Sequence, residues 1–246
     1  MKNVVLFCLK DIFFKVLFFY FCCKTPLAVR DKIKRFQEIA ERTNVIGPEK
    51  NLYESIKGRW GAEQFGNLND IVLELGCGRG EYTVGLAQLF PTKNFIGVDI
   101  KGDRIWVGSS HAIELGLDNV AFLRTQIQFL PRFFKKNEVS EIWITFPDPR
   151  PKLRDEKHRL TNNRYLDIYK EIIVPGGCIH LKTDNTALFE YTLEALDNRN
   201  DVKNLIFTRD LYKSPYNNQH FGICTKYEKK FHDLGESIKY LKFQFG

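Results

Sequence analysis

From residue 71 onward, apolar runs of strand length alternate with stripes of helical spacing. Residues 71–75 (Ile-Val-Leu-Glu-Leu) form a short apolar run ending at glycines, which predicts a buried strand. Residues 82–90 follow with helical periodicity, residues 94–98 form a second strand closing at Asp99, and residues 104–115 are helical up to Gly116. Residues 120–124 predict a third strand and residues 141–146 a fourth, ending at Pro147. A helix over 165–174, stopped by Pro175-Gly176-Gly177, leads to a fifth strand at 178–182 and a helix at 187–196. Two late apolar stretches, 205–208 and 221–231, are expected to pair as antiparallel strands. Upstream, a basic helix over 30–42 is stopped by Gly47-Pro48, and a second short helical stretch covers 51–61.

Strands that alternate with helices predict an α/β fold: a doubly wound, mostly parallel sheet with helices on both faces and an antiparallel C-terminal strand pair. Ligands of such sheets bind beyond the carboxyl ends of the strands. The residues just after each strand are therefore the ones to read for chemistry.

The first residues do not fit this pattern. Residues 4–23 are strongly apolar but are interrupted by Lys10, Asp11 and Lys15. A membrane span needs about 20 apolar residues with few charges, and a secretory leader needs an unbroken apolar centre with a small-residue cleavage site. Neither is present, so stable membrane insertion is not expected. Residues 1–28 are read as a dispensable apolar extension and 29–246 as one domain. The net charge of +7 favours a polyanionic partner. The six cysteines make no C-x-x-C pair, which argues against a zinc site and fits a reducing, cytoplasmic compartment.

After the first strand comes Glu74-Leu75-Gly76-Cys77-Gly78-Arg79-Gly80. A G-x-G-x-G turn between strand and helix lets the backbone approach a ligand closely. Asp99, at the end of the second strand, stands where an acidic residue accepts the ribose hydroxyls of a nucleoside. The dinucleotide fingerprint is the longer G-x-G-x-x-G, and no G-K-[ST] phosphate loop occurs. The tighter turn preceded by Glu74 resembles motif I of the Rossmann-like S-adenosylmethionine methyltransferases.

The fourth strand runs into Pro147-Asp148-Pro149-Arg150-Pro151-Lys152, a proline-stiffened loop able to hold Asp148 and Lys152 at the sheet's edge. Arg150, Lys152, Arg154, Lys157, Arg159 and Arg164 then form a basic run suited to phosphates. The fifth strand ends at Lys182-Thr183-Asp184-Asn185, and the chain's end offers Thr225-Lys226-Tyr227-Glu228. Glu228 taken alone reads equally well as a surface residue on a strand.

Taken together, the glycine turn, the P-D-P-R-P-K loop, the T-D-N after strand five and T-K-Y-E resemble the bacterial tRNA (guanine-N7-)-methyltransferases, over about residues 32–231. The resemblance implies S-adenosylmethionine as cofactor and tRNA as partner, with the target guanine in the variable loop. It implies that Glu74, Gly76, Gly78, Asp99, Gln126 and Asp148 meet the cofactor. Asp148 and Asp184 become the catalytic candidates, and Lys152, Asp184, Thr225, Lys226, Tyr227 and Glu228 the substrate contacts. Two positions depart from the family pattern: Gln126 stands where an aspartate is common, and Arg150 where a tryptophan is common. Arg150 retains a flat stacking group, and Tyr216 is a second candidate for stacking on a turned-out base. Read without the resemblance, the residues leave open a methyltransferase acting on a small molecule or protein, or a non-catalytic RNA-binding relative. Monomer and homodimer also stay open.

Overall fold

The computed structural model describes residues 27–246, with side chains from residue 31. Most of the expected extension, residues 1–26, lies outside the described residues. Helix α1 (Leu27–Glu41) comes first, then β1 (Val45–Ile46). The expected short helix at 51–61 is instead a 3-10 turn, Asn51–Glu54, and a π-type turn, Trp60–Phe65. Alternation then begins: β2 (Ile71–Leu75), α2 (Glu81–Leu89), β3 (Asn94–Asp99), α3 (Gly102–Glu114), β4 (Val120–Arg124), α4 (Leu130–Phe133) and β5 (Val139–Thr145). It continues through α5 (Asn163–Ile172), β6 (Ile173–Thr183), α6 (Thr186–Asp197), β7 (Val202–Thr208), α7 (Lys226–Asp233) and β8 (Lys239–Phe245).

The eight strands form one sheet in the order β1-β4-β3-β2-β5-β6-β8-β7. Strands β1 to β6 pair in parallel, and β8 runs antiparallel to both β6 and β7. The order reverses between β2 and β5, so the switch point lies at the glycine turn after β2.

Side chains alternate across the pleat and feed two cores. Ile71, Leu73 and Leu75 of β2 face one core with Tyr165, Leu166 and Tyr169 of α5. Val72 faces the other, with Tyr82, Val84 and Leu86 of α2 and Ile105 and Ala112 of α3. Helix α1 lies on α3, where Phe36 and Ile39 occupy the space a side chain at Gly102 would need.

The expected strand at 221–231 is not a strand. Its second half is α7, and the antiparallel partner of β7 lies further on, at β8. The reason is legible in the chain: Thr225-x-x-Glu228 is a capping box. The Thr225 side chain accepts from Glu228 N at 3.1 Å, and the Glu228 side chain accepts from Thr225 N at 3.3 Å. A second difference concerns Pro175-Gly176-Gly177, expected to separate helix from strand. These residues lie inside β6, where the register with β5 shifts between Val139 and Glu141, so they form a bulge.

Phe122 of β4 is fully buried in a hole made by missing side chains. A Cβ placed on Gly97 would lie 2.8 Å from its ring and 2.9 Å from Cys77 Sγ. Gly97→Ala should therefore lower stability by about 1–3 kcal/mol, the usual cost of overpacking. Gly97→Ala/Phe122→Leu should recover part of the loss, measured as the urea midpoint. A denaturation curve for Gly97→Ala that overlays the wild type would contradict this packing.

Candidate active site

The ends of β2, β3, β4, β5 and β6 open into one cleft of about 1270 Å³. Its walls include Gly76, Gly78, Asp99, Gln126, Asp148, Asp184, Thr225, Lys226 and Tyr227. The sequence therefore brought together residues that span the chain from position 76 to position 227.

The glycine turn is built for close backbone approach. Gly76 and Gly78 adopt φ of 69° and 55°, the left-handed region that glycine enters without penalty. A side chain at Gly78 would meet no atom nearer than 4.0 Å, so this backbone faces open space. Asp99 is held across the turn, with Oδ2 accepting from Gly78 N at 2.9 Å and Oδ1 from Lys101 N at 2.8 Å. Each oxygen keeps lone-pair capacity towards the cleft. The turn, the fixed carboxylate and the exposed Gln126 after β4 thus fit a nucleoside. Burial beside Glu74 and Asp99 pushes the Cys77 thiol well up, so it is not a nucleophile at neutral pH.

Glu74 borders the cleft but is 4% exposed, and its side chain is engaged inside the protein. Oε2 accepts from Thr83 N at 2.8 Å and Thr83 Oγ1 at 2.5 Å, and Oε1 accepts from Thr145 Oγ1 at 2.8 Å. It ties β2 to the start of α2 and to β5. Thr83 and Thr145 carried no sequence signal for this role. Burial, opposed by those hydrogen bonds, pushes the Glu74 carboxyl up to about 7.

The Asp148 loop is extended between two non-glycine residues in the left-handed region, Phe146 (φ 48°) and Arg150 (φ 47°). Asp148 accepts from Arg150 N at 3.2 Å, and Arg150 Nε lies 3.1 Å from its Oδ2. Arg159 donates through Nε and Nη2, each at 3.2 Å, to the Arg150 carbonyl and lies 4.3 Å from the Tyr191 ring centroid. The basic run is therefore divided. Arg150 pairs with Asp148 at the cleft wall, Arg159 packs on Tyr191, and Arg164 donates to Gln128. Lys152, Arg154 and Lys157 are exposed and make no ion pair among the described residues.

Three expectations need correction of place. Lys152 is exposed but does not line the cleft. Tyr216, offered for base stacking, packs against the core beneath α2; Tyr227 is the tyrosine of this region that lines the cleft, 51% exposed. Glu228, expected to meet substrate, is fully buried, because both its oxygens are held by Lys182, Tyr212 and Thr225 N. Asp184, half-buried at the end of β6, does face the cleft, and burial pushes its carboxyl up. Among the described residues no cluster of His, Cys, Asp and Glu could hold a metal ion, and no helix is long and apolar enough to cross a membrane.

Fold and cleft define a Rossmann-like α/β domain with a nucleoside-type site at the switch point of its sheet. Two solved methyltransferase structures share the fold. One is an antibiotic-related methyltransferase (TM-score 0.55, 19% identity, covering 74% of this chain and 89% of that one). The other is the 16S rRNA methyltransferase KamB (TM-score 0.54, 13% identity, covering 72% and 88%). A family model described as "Putative methyltransferase" matches residues 69–241. The tRNA (guanine-N(7)-)-methyltransferase of Cytophaga hutchinsonii is 51% identical over 217 residues, 88% of this chain and 98% of that protein. Its counterpart in Christiangramia forsetii is 47% identical over 221 residues, 87% and 98%. The chain belongs to the tRNA (guanine-N7-)-methyltransferase family.

The buried Glu74 makes a pH prediction. Its folded-state pKa, about 7, lies above the ordinary carboxylate value, so the folded state binds the extra proton. That contribution to stability is full below about pH 4.3, the unfolded value, and is lost as pH rises through 7. Glu74→Gln, whose amide oxygen can accept from Thr83 while its amide nitrogen donates to the Thr145 hydroxyl, cannot titrate and should show a flatter stability profile between those limits. Urea midpoints against pH measure it, and parallel profiles would contradict the assignment.

Proposed function

We propose that this chain transfers a methyl group from S-adenosylmethionine to N7 of a guanine in tRNA, giving 7-methylguanosine in the variable loop, in the cytoplasm. The observation that carries the reading is the shared cleft: nucleoside-type walls (Gly76, Gly78, Asp99, Gln126) and the Asp148, Asp184 and Thr225–Tyr227 walls enclose one space. Relatives that are about half identical over nearly their whole length carry this activity in their names.

S-adenosylmethionine, when bound, supplies a methyl group made electrophilic by its sulfonium. The glycine turn and Asp99 hold the nucleoside end, with Gln126 offering its amide to the base. Asp148 lies nearest in role to the methyl donor, and Arg150 must release its carboxylate for it to act. Guanine N7 already has a lone pair, so no general base is required, and alignment is the main task. Positive charge develops on the guanine as N7 is alkylated. Asp184 accepts from the guanine N1 and N2 donors and stabilises that charge. Those donors also offset the cost of keeping its half-buried carboxylate ionised. A guanine turned out of folded RNA stacks on Arg150 or Tyr227. Lys152, Arg154 and Lys157, exposed and unpaired, meet phosphates.

Incubation of unmodified tRNA with methyl-labelled S-adenosylmethionine, followed by digestion to nucleosides, should give 7-methylguanosine; absence of label in RNA contradicts the reading. Asp184→Asn should lower kcat by about 10²–10³-fold, the usual loss of one transition-state electrostatic contact, while calorimetry shows cofactor affinity kept. Full activity in that variant removes Asp184 from the mechanism. Replacing Lys152, Arg154 and Lys157 together by alanine should reduce the slope of log K for tRNA against log salt by about 2–3. An unchanged slope would mean that the phosphates are met elsewhere.

A further inference from the structure

Beneath the cleft lies a charged pair that no part of the mechanism above uses. Lys182 of β6 and Glu228 of α7 are both 0% exposed, with Lys182 Nζ 2.7 Å from Glu228 Oε1. Three elements meet at this ammonium. Glu228 belongs to the turn and helix that present Thr225, Lys226 and Tyr227 to the cleft, and its other oxygen accepts from Thr225 N at 3.3 Å. Lys182 itself sits two residues before Asp184, and its carbonyl accepts from Phe146 N at 2.8 Å, at the root of the Asp148 loop. The Phe146 ring centroid lies 6.0 Å from Nζ, and the Tyr82 ring centroid 4.9 Å from it. Tyr212 donates to Glu228 Oε1 at 2.8 Å, so Lys182, Tyr212 and Thr225 N together satisfy the carboxylate.

The geometry points to Lys182 as a positioning residue for methyl transfer. Its ion pair with Glu228 sets the T-K-Y turn at a fixed distance from Asp184 and the Asp148 loop. The inference rests on the tRNA-methylating reading above. A buried pair of this kind is weak evidence for stability, since a packed apolar pair of similar volume often serves as well. What an apolar pair lacks is direction. A charged hydrogen bond fixes both partners in distance and angle, and a displacement of about 1 Å at a reacting centre costs on the order of 10²-fold in rate. Lys182 reaches α2 through Tyr82, whose hydroxyl lies 3.4 Å from Nζ, and makes no hydrogen bond to Gly76, Gly78 or Asp99, so the larger consequence should fall on the substrate side.

Three variants separate these effects: Lys182→Met, Lys182→Met/Glu228→Leu, and the charge exchange Lys182→Glu/Glu228→Lys. Cofactor affinity is read by calorimetry, and kcat and KM with tRNA from initial rates. The apolar pair should fold and bind S-adenosylmethionine within about threefold of wild type, yet lose about 10²-fold in kcat. The charge exchange should recover at least about tenfold of that loss, because it restores the directed contact between β6 and α7, although a lysine at 228 cannot accept from Thr225 N or Tyr212. An apolar pair with near wild-type kcat overturns the proposal, as does a charge exchange no better than the apolar pair. Failure of both double variants to fold also overturns it, because the pair would then be a requirement of folding. A wild type that transfers no methyl group to tRNA overturns both this and the functional reading, whereas unaffected variants beside an active wild type overturn only the role of Lys182.

Discussion

In a parallel sheet every strand is left through a connection on the same edge, and the backbone groups and side chains at those exits share one region of space. In this protein five exits, from β2 to β6, surround one cleft. The packing that keeps the exits in register is buried and partly polar. Glu74 bridges β2, α2 and β5 through the threonines at 83 and 145. Phe122 fills the space left by glycines in neighbouring elements. These contacts fix the floor, and the walls then differ according to which residue follows each strand.

The C-terminal segment completes the cleft from the other side. After β7 the chain crosses the sheet face that carries α2, enters α7 through the Thr225–Glu228 capping box, and returns as β8 beside β6. Helix α7 is attached at both sides of its first turn. Lys226 N donates to Glu81 at the start of α2, and Glu228 meets Lys182 on β6. A turn held at these points presents Lys226 and Tyr227 outward while its glutamate is spent internally. The same four residues thus serve two purposes, anchoring through the first and last and exposing the middle two.

Much of the architecture was legible because period-two and period-3.6 patterns report burial directly: all five expected parallel strands are present, four within two residues of their expected bounds and the fifth starting five residues early, at Ile173. The glycine turn and the carboxylates after β3, β5 and β6 were legible because the fold rule names the strand exits as the binding edge. Residues 221–231 have the apolar content of a strand, but the capping signature that begins at Thr225 starts a helix there instead. Lys182 was invisible as a functional residue for a different reason. A lysine late in a strand reads as an exposed charge, and its burial depends on Glu228 and Tyr212, which only tertiary structure brings near. The packing of Arg159 is of the same kind: its partners are a carbonyl and an aromatic ring, and neither has a sequence pattern.

The claim that most depends on the whole arrangement is that the nucleophile is guanine N7. A tRNA transcribed with 7-deazaguanosine in place of guanosine keeps the N1 and N2 donors that Asp184 would read but has carbon at the reacting position. The account predicts that this RNA competes with unmodified tRNA for the protein and accepts no methyl group from labelled S-adenosylmethionine. Label incorporated into the 7-deazaguanosine tRNA at a rate comparable to the natural transcript would contradict it.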